Sequence, residues 1–364
     1  MFRIARATQS TFSPTGATQC IARFAASMSL VTGSRSSTAA AAGRAEIALT
    51  PIRSLPSTLR ALAIPHVLHR RIGEIPRVDE GKTGRTTFVM AGGGSLGAVE
   101  VGMLRALPDR GIAPDFVVGA SAGAINGAFF ASEPTPHGVD RLTEIWCGLR
   151  RRDLFPFRFA NLFGLLSGRD HVCGNDGLRR LLQRYLRYRT LEEAAIPIHV
   201  VASDLVSGDE VLLSAGPAVE AVLASAAIPG VFPPVEIAGR LLVDGGVANN
   251  TPISSAIRLG ATRVFVLPTG FACALRQVPS NAIARAMHAL DLLVVRQLLN
   301  DIERYRHAVE LHVVPSLCPL DTSPYDYSAS ASLIDRATQT TQTWHAGGGL
   351  ERGDVPMQLH VHTH

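Results

Sequence analysis

A serine flanked by glycines is the first feature of this sequence that could do chemistry. Gly119-x-Ser121-x-Gly123 follows the apolar run 116–118 and precedes small, helix-forming residues at 124–131. This order predicts a strand, a sharp turn and a helix, which together present a serine hydroxyl as a nucleophile above the edge of a sheet. The pattern is short, and the alternative in a region rich in Gly, Ala and Ser is a small-residue turn that serves close helix packing.

A glycine run earlier in the chain has two competing interpretations. Gly92, Gly93, Gly94 and Gly97 follow a predicted strand and open a helical pattern. As a dinucleotide fingerprint, the run would hold a pyrophosphate at the start of the helix. As an oxyanion hole, its backbone N–H groups would hold the negative oxygen that forms when a nucleophile attacks an ester. A dinucleotide site needs an acidic residue after the next strand, but Asp115 precedes that strand, so the run favours acyl transfer.

A serine nucleophile needs a base, and the sequence offers two aspartates at the ends of predicted strands. Asp244 is followed by Gly245 and Gly246, which would let the backbone pack close to the serine turn. Asp204 also ends an apolar run, 198–202 with Ser203. On spacing alone Asp244 is the better candidate, and Asp204 stays open.

A histidine base would make the site a Ser-His-Asp triad. The usual order of such a triad requires a histidine in a late loop. The candidates are His288, His307, His312 and His345, of which His312 falls in a strand pattern and His288 and His307 on helix patterns. None lies in a convincing loop, so the triad remains an alternative.

The elements around these motifs indicate the fold class. Strand patterns alternate with helix patterns from residue 86 to 268. Such alternation predicts an α/β fold of three layers, α/β/α, with a central, mostly parallel sheet. We place the catalytic core at 85–268, a continuation of its layers at 269–346 and a tail at 347–364.

The composition describes a globular chain that carries an N-terminal extension. Of the 364 residues, 46% are hydrophobic and 18% charged, which excludes a disordered chain. Residues 1–84 are rich in Ser, Thr, Ala and Arg and contain no acidic residue before Glu46, as in a transit peptide or a disordered leader. We expect a cytoplasmic or peripherally membrane-associated protein, with organelle import as the alternative.

Charge and hydropathy restrict the partners. The net charge is +5, with arginine concentrated in the extension and in 150–189. Without aromatic-basic interleaving, this excess favours a phospholipid surface over nucleic acid. The longest uncharged stretch, 116–132, has 17 residues and is interrupted by Gly, Ser and Asn, so we expect no transmembrane segment.

Neither a metal nor a cofactor is expected. The five cysteines are scattered and form no C-x-x-C pair, which argues against a zinc site or a disulfide framework. The alternating His360, His362 and His364 would chelate a metal only weakly.

In this order and on these elements, the three motifs resemble the patatin-like phospholipase family over residues 86–268. The resemblance implies a metal-independent lipid acyl hydrolase that cleaves fatty-acyl esters of phospholipids or other lipids through an acyl-enzyme. It implies that Ser121 and Asp244 act as a dyad without a histidine and that the glycines from Gly92 to Gly97 form the oxyanion hole. We expect the region 155–166 to cover the site and desolvate Asp244.

The chain departs from the family pattern at two positions. Members often carry a polar or acidic residue where this chain has Ala91, and a basic residue where it has Leu96. A headgroup or oxyanion contact from that basic position is therefore not expected, and Arg105 or the arginines 150–152 are the candidates to replace it. A non-catalytic, nucleotide- or lipid-binding regulatory module is the alternative of a different class.

Overall fold

The computed structural model describes residues 84–108, 111–155, 171–270, 282–353 and 355–359. Nearly all of the extension, the stretch 156–170 and the three terminal histidines lie outside the described residues. The predictions for the leader, for most of the cover and for weak metal binding at the C-terminus therefore stay predictions, as do the domain boundaries.

The described elements alternate as the sequence patterns predict. The strands are β1 (Thr86–Met90), β2 (Phe116–Ala120), β3 (Ile198–Asp204), β4 (Glu210–Leu213), β5 (Val235–Ile237), β6 (Arg240–Asp244), β7 (Arg263–Leu267) and β8 (Glu310–Val313). The helices are α1 (Gly97–Ala106), α2 (Ala122–Ser132), α3 (Pro136–Gly148), α4 (Arg151–Leu154), α5 (Asp176–Tyr185), α6 (Ala218–Ser225), α7 (Gly246–Asn249), α8 (Ile253–Arg258), α9 (Ala282–Tyr305), α10 (Ser330–Ala346) and α11 (Gly349–Arg352).

The strands form one sheet in the order β5-β6-β3-β2-β1-β7-β8, with β4 paired to β3. The central pairs β3-β2, β2-β1, β1-β7 and β7-β8 are parallel, whereas β4 and β6 run antiparallel to β3, and β5 runs antiparallel to β6. The expected mostly parallel sheet is confirmed. The antiparallel direction of β6 and the short strand β5 were not predicted.

The sheet is covered on both faces because its central strands are apolar on both sides. Phe88 and Met90 of β1 pack into a large cluster with residues of α1, α2, α3, α5, α6 and α10. Val89, between them, packs into a second cluster with residues of α8 and α9. The side chains of a strand alternate between faces, so these two clusters are the two helical layers of the three-layer fold.

The register of the sheet brings the ends of β2 and β6 together. Ala120, the last residue of β2, pairs with Val201, and Asp244, the last residue of β6, pairs with Ala202. Because β3 extends beyond β2, an antiparallel neighbour that stops opposite Ala202 ends at the height of Ser121. The register of β3 with its two neighbouring strands therefore aligns Ser121 with Asp244.

Candidate active site

Ser121 lies in a strained turn between β2 and α2. Its backbone has φ 51° and ψ −119°, a conformation that a side-chain-bearing residue rarely adopts. A Cβ atom on Gly123 would lie 2.2 Å from the carbonyl oxygen of Met90, and one on Gly119 would lie 2.4 Å from that of Gly123. Both flanking positions of the turn therefore require glycine, for close approach to the neighbouring backbone.

The side chain of a second serine, Ser225, holds the backbone of this turn. Ser121 N–H donates to Ser225 Oγ at 2.9 Å, and Ser225 Oγ donates to the carbonyl oxygen of Val201 at 2.5 Å. Ser225 is fully buried at the end of α6. This chain of hydrogen bonds ties the turn to β3, and no short-range motif in the sequence pointed to it.

Asp244 meets the side chain of Ser121 directly. Ser121 Oγ donates to Asp244 Oδ2 at 2.6 Å, and the backbone N–H of Gly246 donates to Asp244 Oδ1 at 2.7 Å. The Asp244 backbone is held as well, because its N–H donates to the carbonyl oxygen of Ala227 at 2.9 Å and its own carbonyl oxygen accepts from Ser203 Oγ at 2.8 Å. Both carboxylate oxygens and the backbone of Asp244 are thus held by hydrogen bonds.

Burial makes this carboxylate more basic than an exposed one. Asp244 is 7% exposed and Ser121 is 8% exposed. Desolvation raises the pKa of Asp244 to about 6, against a smaller lowering by the hydrogen bonds from Ser121 and Gly246. A base with a pKa near the ambient pH is suited to proton transfer, because it is ionised and still holds a proton well.

The other predicted bases lie elsewhere. Asp204 caps the turn after β3 and pairs with Arg240 Nε at 2.7 Å. His312 is buried on β8, where its ring stacks on Phe265 and its Nε2 lies 2.7 Å from Glu310 Oε1. Within the described part of the chain, no histidine forms a hydrogen bond with Ser121 or Asp244.

The glycine run lies against Ser121 at the end of β1. Gly92 N–H donates to the carbonyl oxygen of Asn250 at 3.0 Å, and Gly92 O accepts from Asn250 Nδ2 and from Thr269 Oγ1 at 3.2 and 2.8 Å. A Cβ atom on Gly92 would lie 2.3 Å from Asn250 Oδ1 and 3.1 Å from Ser121 Cβ. Asn250 and Thr269 are positioning residues that the sequence analysis missed, because they are distant in sequence from the run.

The amides of the glycine run differ in their availability. The N–H groups of Gly92 and Gly97 are already engaged, the first by Asn250 and the second by the carbonyl oxygens of Gly94 and Ser95. Among the described residues, no acceptor binds the N–H groups of Gly93 and Gly94. Gly94 has φ +58° and lines the same cavity as Ser121. Gly93 and Gly94 therefore have backbone donors that are free to bind an anion.

A buried network of hydrogen bonds contacts the last glycine of the run, Gly97. Asn126 Nδ2 donates to Glu100 Oε2 at 2.7 Å and to the carbonyl oxygen of Gly97 at 2.8 Å, while Trp146 Nε1 donates to Asn126 Oδ1 at 2.7 Å. Glu100 is completely buried, and desolvation raises its pKa well above the usual range. The network ties α1 to α2 and α3, and thereby the start of α1 to the helix that follows Ser121.

An apolar cavity opens at Ser121. It contains about 570 Å³ of empty space, including its opening to solvent. Ser121 and Gly94 lie in its wall, and the remaining lining is mostly aliphatic and aromatic: Ala122, Ile125, Phe129, Ile145, Trp146, Leu149, Leu154, Phe155, Leu178, Leu181, Ala226, Ile228, Phe232 and Tyr327. The arrangement suits an apolar chain that carries an electrophilic carbon at one end.

The two departures from the family pattern are buried. Ala91 is 2% exposed and Leu96 is 1% exposed, so neither side chain reaches solvent. Arg105 pairs with Asp335 at 3.3 Å, between α1 and α10. The described residues include no cluster of His, Cys, Asp or Glu that could hold a metal ion, and no described helix is long and apolar enough to cross a membrane.

The chain is similar to patatin-like phospholipases and to NTE family proteins. The profile of the patatin-like phospholipase family matches residues 88–257. Patatin-like phospholipase domain-containing protein 7 of Rattus norvegicus is 27% identical over 224 residues, which are 60% of this chain and 16% of that protein. An uncharacterized NTE family protein of Mycobacterium tuberculosis is 31% identical over 183 residues, 49% of this chain and 47% of that protein.

A fungal relative and two solved structures complete the comparison. Lysophospholipase NTE1 of Mycosarcoma maydis is 27% identical over 188 residues, 50% of this chain and 10% of that protein. VipD from Legionella pneumophila has a TM-score of 0.36 at 15% identity, covering 78% of this chain and 72% of that chain. The ExoU-SpcU complex of Pseudomonas aeruginosa has a TM-score of 0.35 at 16% identity, covering 74% and 52%. The chain thus spans less than half the length of these three sequence relatives.

Proposed function

The chain carries a patatin-like phospholipase domain over residues 88–257, and on that premise we propose that it hydrolyses acyl ester bonds of lipids. In this proposal Ser121 is the nucleophile and Asp244 its base. The observation that carries it is the 2.6 Å hydrogen bond from Ser121 Oγ to a buried carboxylate, at the wall of an apolar cavity.

The reaction proceeds in two halves through an acyl-enzyme. Asp244 accepts the proton of Ser121 Oγ as that oxygen bonds to the ester carbon, and it returns the proton to the departing alcohol when the ester bond breaks. A water molecule then gives a proton to Asp244 and attacks the acyl-enzyme. The bond to Ser121 breaks, the fatty acid leaves, and Ser121 recovers its proton from Asp244.

The negative oxygen of each tetrahedral intermediate needs hydrogen-bond donors. We assign this role to the N–H groups of Gly93 and Gly94, since those of Gly92 and Gly97 are engaged within the protein. Removing one such donor typically costs on the order of 3 kcal/mol in transition-state stabilisation. We therefore propose that only Gly93 and Gly94, and not the whole glycine run, form the oxyanion hole.

The cavity and one relative support a lipid with a single acyl chain. The apolar cavity that the described residues form at Ser121 has room for an acyl chain, and the Mycosarcoma maydis relative is named a lysophospholipase. An acyl chain in the cavity would place its ester carbon beside Ser121 Oγ. We therefore propose monoacyl lipids as the substrate class.

Access to such lipids would take place at a lipid surface. Leu205 and Val206 follow β3 at the edge of the sheet where Ser121 lies, and Leu205 N–H donates to the carbonyl oxygen of Leu241. Leu205 is 48% exposed, Val206 88% and Leu241 44%. Apolar side chains at this edge favour peripheral contact with lipid.

The dinucleotide alternative receives less support. Ser95 N–H, at the start of the helical turn, donates to the carbonyl oxygen of Pro324 at 2.8 Å, and that oxygen would lie 2.5 Å from a Cβ atom on Gly94. Protein backbone therefore occupies part of the space where a pyrophosphate would lie. The triad alternative lacks a described histidine beside Ser121 or Asp244.

Release of fatty acid from a lysophospholipid tests the proposal. Ser121→Ala should abolish release while leaving the unfolding temperature close to that of the wild type. Ser207→Ala, in the exposed turn after β3, is the matched control and should keep full activity. Wild-type release rates in the Ser121→Ala protein would refute the assignment. Loss of activity on replacing one of the four candidate histidines, with the unfolding temperature unchanged, would refute it as well.

A further inference from the structure

A second, more polar cleft lies beside the apolar cavity. It contains about 700 Å³ of empty space, including its opening to solvent, and its lining includes Arg150, Arg151 and Tyr325. Leu149 and Tyr327 line both the cleft and the apolar cavity. The two spaces are therefore neighbours with two lining residues in common.

The cleft also adjoins the glycine run. Ser95 N–H donates to the carbonyl oxygen of Pro324 at 2.8 Å, and Ser95 Oγ donates to that of Ser323 at 3.1 Å. The segment 323–328, which lines the cleft, is thus fastened to the turn that contains Gly94. Burial, with the charges of Asp291 and Asp244, raises the pKa of Tyr325 to about 12, so Tyr325 stays uncharged in the cleft.

The charges of the cleft favour an anion. Arg150 and Arg151 are exposed, and in the described part of the chain no carboxylate forms an ion pair with either guanidinium. Asp326 also lines the cleft, but its Oδ1 accepts from Ser328 N–H and Ser328 Oγ at 2.9 and 2.6 Å. Two guanidiniums against one carboxylate leave a positive cleft, and guanidinium geometry matches phosphate oxygens.

Resting on the proposed ester hydrolysis at Ser121, we propose that Arg150 and Arg151 bind the phosphate of the substrate's headgroup while the acyl chain occupies the apolar cavity. The substrates are then monoacyl phospholipids rather than neutral monoacyl esters. Of the candidates to replace the basic residue absent at Leu96, Arg105 lines neither the cleft nor the apolar cavity, and it pairs with Asp335. The phosphate site lies instead in the neighbouring cleft, which shares Leu149 and Tyr327 with the apolar cavity.

Two substrates that differ only in the phosphate test this inference. We would measure kcat/KM for octanoyl lysophosphatidic acid and for monooctanoylglycerol, both as monomers in solution so that attraction to a charged surface plays no part. In the Arg150→Gln/Arg151→Gln protein, the ratio of the two values should fall about tenfold or more, with the neutral ester little affected.

The matched control is Arg152→Gln. Arg152 is exposed on the same helical turn, α4, but does not line the cleft, so its substitution should leave the ratio within twofold of the wild type. Asp326→Asn removes the opposing charge and should raise the ratio. An unchanged ratio in the double variant, an equal loss on both substrates, or an equal drop with Arg152→Gln would overturn the proposal.

A binding measurement separates this inference from the proposed function. Titration of octyl phosphate into the Ser121→Ala protein needs no hydrolysis, and its affinity should fall about tenfold when both arginines are also replaced by glutamine. Arg152→Gln should leave the affinity unchanged. If octyl phosphate binding depends on the two arginines but the wild type shows no esterase activity, only the proposed function is refuted. If binding does not depend on the arginines, the phosphate site is refuted.

Discussion

Asp204 and Asp244 end two adjacent antiparallel strands, yet they have opposite chemistry. The hydrogen bonds from Ser207 N–H and the Arg240 side chain, with that from Val206 N–H, lower the pKa of Asp204 to about 2. Asp244 is buried, no cation among the described residues forms an ion pair with it, and desolvation raises its pKa to about 6. A strand-end aspartate becomes a base when it is desolvated and its partner is a hydroxyl. It becomes a structural anion when donors and an arginine stabilise its charge.

The largest expected difference between the two is in activity. Asp244→Asn removes the group that accepts the proton of Ser121, so kcat/KM for a lysophospholipid should fall about a thousandfold or more. Asp204→Asn leaves that hydrogen bond intact and should change kcat/KM less than threefold. Equal losses in the two variants would mean that position at a strand end, and not proton acceptance, explains the effect.

The pH dependence of activity should follow Asp244. Its carboxyl must be ionised to accept a proton, so kcat/KM should rise with pH through an apparent pKa of about 6 and level off above it. Below this pKa, activity should fall about tenfold for each pH unit. The profile should be the same in Asp204→Asn, and an apparent pKa near 4 would show that Asp244 is not desolvated.

The same two residues should have opposite effects on stability. The pKa of Asp244 is higher in the folded protein than the ordinary value of 3.8, so its contribution to the free energy of unfolding decreases as pH rises from about 4 to about 6. Asp244→Asn should therefore stabilise the protein at pH 7, by about 1–3 kcal/mol.

Asp204 has a lowered pKa, so its contribution is present above pH 4 and is lost as the pH falls towards 2. Asp204→Asn should consequently destabilise the protein at pH 7. Urea unfolding of both variants at pH 7 measures the two signs, and destabilisation by Asp244→Asn would contradict the account of a costly buried charge.

The smallest expected effect concerns a second buried carboxyl, that of Glu100. Burial raises its pKa well above the usual range and so favours the neutral acid, and Glu100→Gln supplies a neutral side chain of the same shape that still accepts the Asn126 hydrogen bond. The free energy of unfolding should change by about 1 kcal/mol or less, and kcat/KM should stay near that of the wild type. A loss above about 3 kcal/mol in urea unfolding would indicate that Glu100 is ionised when folded.

Local patterns predicted those parts of the fold that depend on a few consecutive residues. The apolar runs of β1, β2 and β7, and the small residues around Ser121, each determine an element by themselves. The alternation of these elements was sufficient to predict a three-layer fold.

Long-range pairing could not be predicted in this way. An apolar run such as 241–243 does not encode the direction of its neighbour, so the antiparallel placement of β6, which sets the height of Asp244, was missed. Asn250, Thr269 and Ser225 reach the site through contacts over 104 to 177 residues of sequence. Spacing favoured Asp244 over Asp204, but only the register of β3 shows which carboxylate lies beside Ser121.

Labelling with a fluorophosphonate tests the central claim most directly, because the reagent bonds covalently to an activated serine and needs no knowledge of the natural lipid. Peptide mass mapping should place the label on Ser121 in the wild type. Labelling should be at least about a hundredfold slower in Asp244→Asn and unchanged in Asp204→Asn. A label on another residue, or labelling of Asp244→Asn at the wild-type rate, would contradict a nucleophile activated by Asp244.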